Sequence, residues 1–161
     1  MSDAPAAVFE QVLRTLRAEE AELAALTALA GQELDALMRS DYAAIDAASA
    51  SMALHARDVE DLEGERKRLL APLHLEEATL DMVVPVAESA GVEGFAEIRS
   101  RLLAGAAELR EAQERNARLL LAAMKLQERW ITMFGALSSP TYGADGSQDR
   151  QAGHRLMSRS A

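Results

Sequence analysis

FAEIRSRLLAGAAELREAQERNARLLLAAMKLQERWITMFGAL, residues 95–137, decides the fold. Phe95, Leu102, Leu109, Asn116, Ala123, Trp130 and Leu137 stand seven apart, and Ile98, Gly105, Ala112, Leu119, Leu126 and Met133 repeat the spacing three residues on. Two such lines per heptad form a narrow seam that faces neighbouring helices, and a sustained repeat of 3.5 implies a left-handed supercoil. The spacing predicts one helix over about 94–137, roughly 65 Å long at ~1.5 Å per residue. Asn116 is the one polar residue on the first line. A buried amide there penalises shifted registers, because a shift strands its donors. Gly105 sacrifices about 1 kcal/mol of helix propensity and marks either a close approach or a bend.

Working back from this helix, the same beat recurs twice. Phe9, Leu16, Leu23, Ala30 and Leu37 fall seven apart, with Val12, Leu13, Leu26 and Leu34 between them, predicting a first helix over about 5–38. Asp3 can cap it, and Pro5 sits in the first turn, where its missing N–H costs nothing. Arg39-Ser40-Asp41 is the expected break, with Ser40 or Asp41 accepting an orphan N–H of the next helix. That second helix spans about 41–71. Ile45, Met52, Val59 and Arg66 keep the seven-residue spacing, with Ala48, His55, Leu62 and Leu69 three residues on. His55 and Arg66 read as seam-edge residues whose side chains reach water. Pro72 ends the helix. The stretch 73–93 then connects to the long helix, with a short helix expected near 76–84. Its Leu75, Leu80, Val83, Val84 and Val86 are too apolar for a free loop, so the connector should fold back over one end of the bundle. A short turn makes the first two helices antiparallel. The expected fold is all-α, an elongated antiparallel three-helix coiled-coil-like bundle over 1–137 with a flexible C-terminal tail, 138–161.

Composition agrees. The chain has 161 residues, 9 Gly, 4 Pro and 4% aromatics, and a net charge of −9 from 17 Lys+Arg against 26 Asp+Glu. The tail carries Arg150, Arg155 and Arg159 against Asp145 and Asp149, +1, which leaves −10 on the body. An acidic body repels phosphate backbones and anionic lipid, so nucleic acid and membrane surfaces are poor candidate partners. With no cysteine there is no disulfide framework or thiolate zinc site, compatible with a reducing cytosol. The N-terminus lacks the layout of a secretory signal, and no apolar run approaches the ~20 residues of a membrane span.

Nothing points to catalysis, a metal or a cofactor. His55, His74 and His154 are scattered, no glycine-rich loop follows a strand, and no Glu-x-x-His pair suits a metal-binding bundle. The pairs Glu19-Glu20 and Glu76-Glu77 are expected to be solvated, and Glu63 to Arg68 reads as a charged helix face. The chemistry concentrates instead at the C-terminal end. Trp130, Met133, Phe134 and Leu137 gather in the last turns of the long helix, which should overhang or sit at a bundle end. They read either as ordinary core or as an exposed groove that takes a partner helix. Beyond them, Ser138-Ser139-Pro140-Thr141-Tyr142-Gly143-Ala144-Asp145-Gly146 stops the helix, and Arg155-Leu156-Met157 stands in an otherwise polar segment. Bulky apolar groups in such a tail suit a segment that folds on a partner. The tail is therefore expected to bind, and the body to carry it.

The chain resembles the FlgN family of flagellar export chaperones. The resemblance rests on Leu34-Asp35-Ala36-Leu37 running to Asp41, on Glu65-Arg66-Lys67-Arg68-Leu69-Leu70, and on the stretch Leu109 to Leu120 with its Asn116 and Leu119-Leu120. It rests most of all on Tyr142-Gly143-Ala144-Asp145-Gly146 followed by Arg155-Leu156-Met157 and a terminal Arg-Ser-Ala. The resemblance implies a cytoplasmic chaperone that holds the sticky helical ends of hook–filament junction proteins (FlgK and FlgL types) and delivers them to the flagellar type III export gate. It implies client contacts from Arg155, Leu156, Met157, Trp130, Met133, Phe134 and Leu137. By the same resemblance Tyr142 and Gly143 contact the gate; alternatively the Tyr142 ring caps the bundle end beside Trp130. The competing reading is a self-associating coiled-coil scaffold, and a homodimer is compatible with either.

Overall fold

The computed structural model describes residues 3–138, with side chains over 4–136; of the expected tail, Ser138 belongs to the last helix and 139–161 lie outside the described residues. Four helices follow in order: α1 (Asp3–Arg39), α2 (Tyr42–Leu70), α3 (Leu80–Ser89) and α4 (Phe95–Ser138). A 3-10 turn, Ala71–Leu73, follows α2, and no strand occurs among the described residues. The chain divides into two compact units, 1–122 and 123–161, so the described part of the second unit is the last turns of α4.

In the first unit, interhelical contacts fix the directions. Ser49 donates to Glu33, His55 meets Glu22 and Arg66 meets Glu19, so α2 runs antiparallel to α1. Phe9 meets Phe95, Glu20 meets Arg101 and Asn116 meets Ala30, so α4 runs parallel to α1. The fold is an all-α bundle, up, down and up again.

The two-residue turn between α1 and α2 works without glycine. Ser40 takes a left-handed φ of 54° as the residue after α1. The Asp41 N–H then reaches back to the Ala36 carbonyl at 2.9 Å and Ser40 N–H to Leu37 at 3.2 Å, closing two orphan carbonyls. Asp41 caps α2, its Oδ1 accepting the Ala44 N–H at 3.1 Å.

The connector covers the end where α1 begins and α2 finishes. Its helix lies at Leu80–Ser89, later than the 76–84 stretch expected, and contains Pro85. A proline there removes one ladder bond and costs roughly 3 kcal/mol. Burial offsets this: Val83 and Ala87, one turn apart, are fully enclosed. Apolar spacing outweighs the breaker signal.

These residues join one core cluster with Phe9, Val12, Leu13 and Leu16 of α1, Leu70 of α2, and Phe95, Ile98 and Leu102 of α4. Phe9 and Phe95 meet edge to face with ring centroids 5.9 Å apart, the geometry that their quadrupoles favour. Toward the Ser40 turn the buried side chains shrink to Ala30, Ala36, Ala48 and Ala112. Gly105 marks neither a clash nor a forced approach: a Cβ there would lie 3.8 Å from Leu23, an ordinary contact.

Asn116 is buried, 4% exposed. Its Nδ2 donates at 2.8 Å to the Ala30 carbonyl and to Glu33 Oε2. Its Oδ1 is enclosed without a partner. The amide is thus tied to one register of α4 on α1, at the expense of an orphan acceptor.

Glu19 corrects the expectation of a solvated carboxylate. It is 8% exposed and accepts from Arg66 Nε at 3.1 Å across the α1–α2 interface. Burial pushes its pKa above the ordinary 4.5, partly countered by the Arg66 charge and hydrogen bond. A raised carboxyl pKa means the native state holds its proton more tightly than the unfolded chain. The associated stability is complete below pH 4.5 and is lost as pH rises through the native pKa. Wild type should therefore gain stability relative to Glu19→Gln as pH falls from 7 toward 4, read from urea midpoints of both proteins at each pH.

Candidate functional site

The seam of α4 is inward-facing as far as Leu119 and no further. Phe95, Ile98, Leu102, Ala112 and Asn116 are buried, and Gly105, Leu109 and Leu119 are half-buried. The heptad then continues through Ala123, Leu126, Trp130 and Met133 with unchanged spacing, yet every residue from Leu120 to Ala136 is exposed. Of the two readings of the Trp130 cluster, ordinary core is therefore excluded for its described members. Trp130 is 49% exposed, Met133 43% and Phe134 59%.

Helical spacing places these groups on one side. At ~100° per residue, Met133, Leu126, Trp130, Phe134, Ile131 and Met124 occupy about 180° of the circumference. Thr132, Lys125, Glu128 and Arg129 fall on the rest, so this stretch is amphipathic by itself. Trp130 and Phe134, one turn apart, stack with centroids 5.9 Å apart and planes 25° apart. That contact pre-orders a flat aromatic surface. No charged group interrupts the apolar arc; Gln127 is its one polar member. Such a face can bury area against another helix, and it has no group suited to acid–base or nucleophilic work.

The sequence reading included Trp130, Met133 and Phe134 and missed Met124, Leu126 and Ile131. The signal available for them was the unbroken heptad itself. The Leu137 side chain and Tyr142, Gly143, Arg155, Leu156 and Met157 lie outside the described residues.

Elsewhere, two features stand out. His55 Nδ1 lies 2.5 Å from Glu22 Oε2, and Asp58 completes a group whose potential ligand atoms lie within 4.8 Å of one another. Sequence alone did not bring Glu22 to His55, which lies 33 positions away. The contact joins α1 to α2 at a half-exposed edge. A groove of about 430 Å³ at the α3 end is lined by Pro5, Phe9, Leu73, Leu75 and Val86 and offers no charged group. Among the described residues, no helix is long and apolar enough to cross a membrane.

The apolar side chains of α4 beyond Leu119 are thus exposed among the described residues. The sequence model of a family described as FlgN protein matches residues 1–150. The chain belongs to the FlgN family. FlgN proteins are chaperones of flagellum assembly, and an exposed apolar helix face suits that role. The match covers the first unit and the second as far as residue 150, including the exposed turns of α4 and the Tyr142-Gly143 segment of this FlgN protein, and stops before Arg155-Leu156-Met157. Neither the curated proteins nor the solved structures contain a match to it.

Proposed function

We propose that this chain is a cytosolic export chaperone that binds the assembly-prone helical ends of the hook–filament junction proteins, FlgK and FlgL types, and delivers them to the flagellar type III export gate. The observation that supports the reading is the exposed continuation of the α4 seam beyond Leu119. A client helix that would otherwise self-assemble can lay its apolar face on Trp130, Met133 and Phe134. Each large side chain buried contributes roughly 1.5–3 kcal/mol. Immobilising both partners takes back much of that sum, so the grip is firm enough to protect and loose enough to release.

In this reading the tail adds a second set of contacts. Arg155, Leu156 and Met157 close over the bound helix, and Tyr142 with Gly143 engages the gate. Leucine and methionine suit such a task because they adapt to varied apolar surfaces.

The test is direct. Purified FlgK-type and FlgL-type proteins from the same organism are mixed with the full chain, and the mass of any complex is measured by light scattering after gel filtration. A stoichiometric complex with at least one of them is expected. Failure to bind either, together with a chaperone that self-associates through the same face, would establish the scaffold reading instead.

A further inference from the structure

Midway along the α1–α2 interface the fold assembles a mixed donor set. The sequence holds no Glu-x-x-His pair, yet antiparallel packing brings Glu22 of α1 to His55 of α2, with Asp58 one turn on. His55 Nδ1 lies 2.5 Å from Glu22 Oε2. One ligand atom from each of the three residues lies within 4.8 Å of the others. His55 and Asp58, three apart, share a face of their helix. The Glu22 and His55 side chains are half-buried, 25% and 35% exposed, and Asp58 opens the group to water.

Charge favours a cation here. Neither carboxylate is paired with Lys or Arg among the described residues. Arg66, three turns further along α2, is committed to Glu19. Two carboxylates around a neutral imidazole leave two negative charges, which one divalent ion cancels. The donor set selects the ion. Imidazole nitrogen with carboxylate oxygen suits Zn2+ and its first-row neighbours, whereas Mg2+ and Ca2+ require a fuller oxygen shell. Three protein ligands with water in the fourth place is a coordination that zinc accepts.

The distances allow it. At 2.5 Å, His55 and Glu22 share a proton. Zinc at about 2.0–2.1 Å from nitrogen and about 2.0–2.2 Å from oxygen holds two such atoms roughly 3.3 Å apart at a tetrahedral angle. The pair need part by only about 0.8 Å, a side-chain adjustment between two packed helices.

We propose that Glu22, His55 and Asp58 bind one divalent ion of the zinc class, with water completing its shell, and so tie α1 to α2 at their midpoint. The site lies wholly within the first unit and is independent of the chaperone reading, since it uses none of the exposed α4 face.

The test is calorimetric titration of ZnCl2 into the full, untagged chain after treatment with a chelator. One ion per chain is expected. Saturation should raise the melting temperature by at least about 3 °C, because an ion held only by the folded state opposes unfolding. MgCl2 should do neither. Losing even a hydrogen-bond partner of a metal ligand costs roughly 10–100-fold, so His55→Ala should weaken Zn2+ binding at least about 100-fold and Asp58→Asn at least about tenfold. His74→Ala and His154→Ala should change nothing. Should His55→Ala misfold for want of its Glu22 contact, Asp58→Asn decides, since Asp58 is exposed and unpaired among the described residues. Absence of a one-to-one event overturns the proposal, as does binding that survives both substitutions or is removed by His74→Ala or His154→Ala instead. Equal protection by MgCl2 also overturns it, leaving only a diffuse acidic surface.

Discussion

Trp130→Asp combined with Ile131→Asp is expected to abolish capture of a junction protein, at least a 100-fold loss in affinity, with the folded state nearly untouched. The two side chains are 49% and 63% exposed, so a charge placed there stays hydrated in the free protein. Exposed substitutions of this kind usually change stability by no more than about 0.5 kcal/mol. In the complex the same positions become interior. Each loses roughly 1.5–3 kcal/mol of apolar burial and acquires an ionised group with no partner. The loss of the Trp130–Phe134 stack adds to this. Titration calorimetry for binding and circular dichroism melting for the fold separate the two effects. Retained binding would mean that the client sits elsewhere. A collapse of the melting transition would mean that the face is enclosed in solution.

Asn116→Asp should produce the reverse, a loss of about 3–5 kcal/mol in urea denaturation at pH 7. The native amide donates to Ala30 O and Glu33 Oε2, both at 2.8 Å. An aspartate has the same shape but only acceptors, so it turns two attractions into two repulsions inside a buried site. Protonation restores one donor, so the deficit should shrink toward pH 4. Asn116→Leu is the informative contrast. It removes both the donor and the orphan Oδ1, and should cost less than aspartate, because the acceptors left behind keep other partners: Ala30 O in the α1 ladder and half-buried Glu33 with Ser49. A comparable large loss with leucine would show that packing, rather than hydrogen bonding, sets the role of this residue.

The pattern of apolar residues carried a great deal of this architecture. Ile45, Ala48, Met52, Val59, Leu62 and Leu69 were expected on the seam of α2, and every one of them is half-buried or buried, whereas His55 and Arg66, expected to reach water, are half-buried against Glu22 and Glu19. The Ser40–Asp41 break and the cap on α2 were legible because a short acceptor side chain beside a helix start has few other uses. Two kinds of fact were not. Periodicity states which face of a helix is apolar and is silent on whether anything covers it. Trp130 and Phe95 therefore looked alike on the seam, although one is half-exposed and the other enclosed. Pairings between distant residues were equally hidden. Glu19 looked like any surface acid until Arg66, 47 positions away, closed over it.

The core of the first unit is lopsided, and this sets an order of opening. Large side chains interlock around Phe9, Leu16, Val83 and Phe95, while the interface near Ala36 and Ala48 is lined by methyl groups that bury far less area each. Local opening is therefore expected to begin where α1 turns into α2 and to reach the aromatic pair last, an order that hydrogen exchange at the two ends would read.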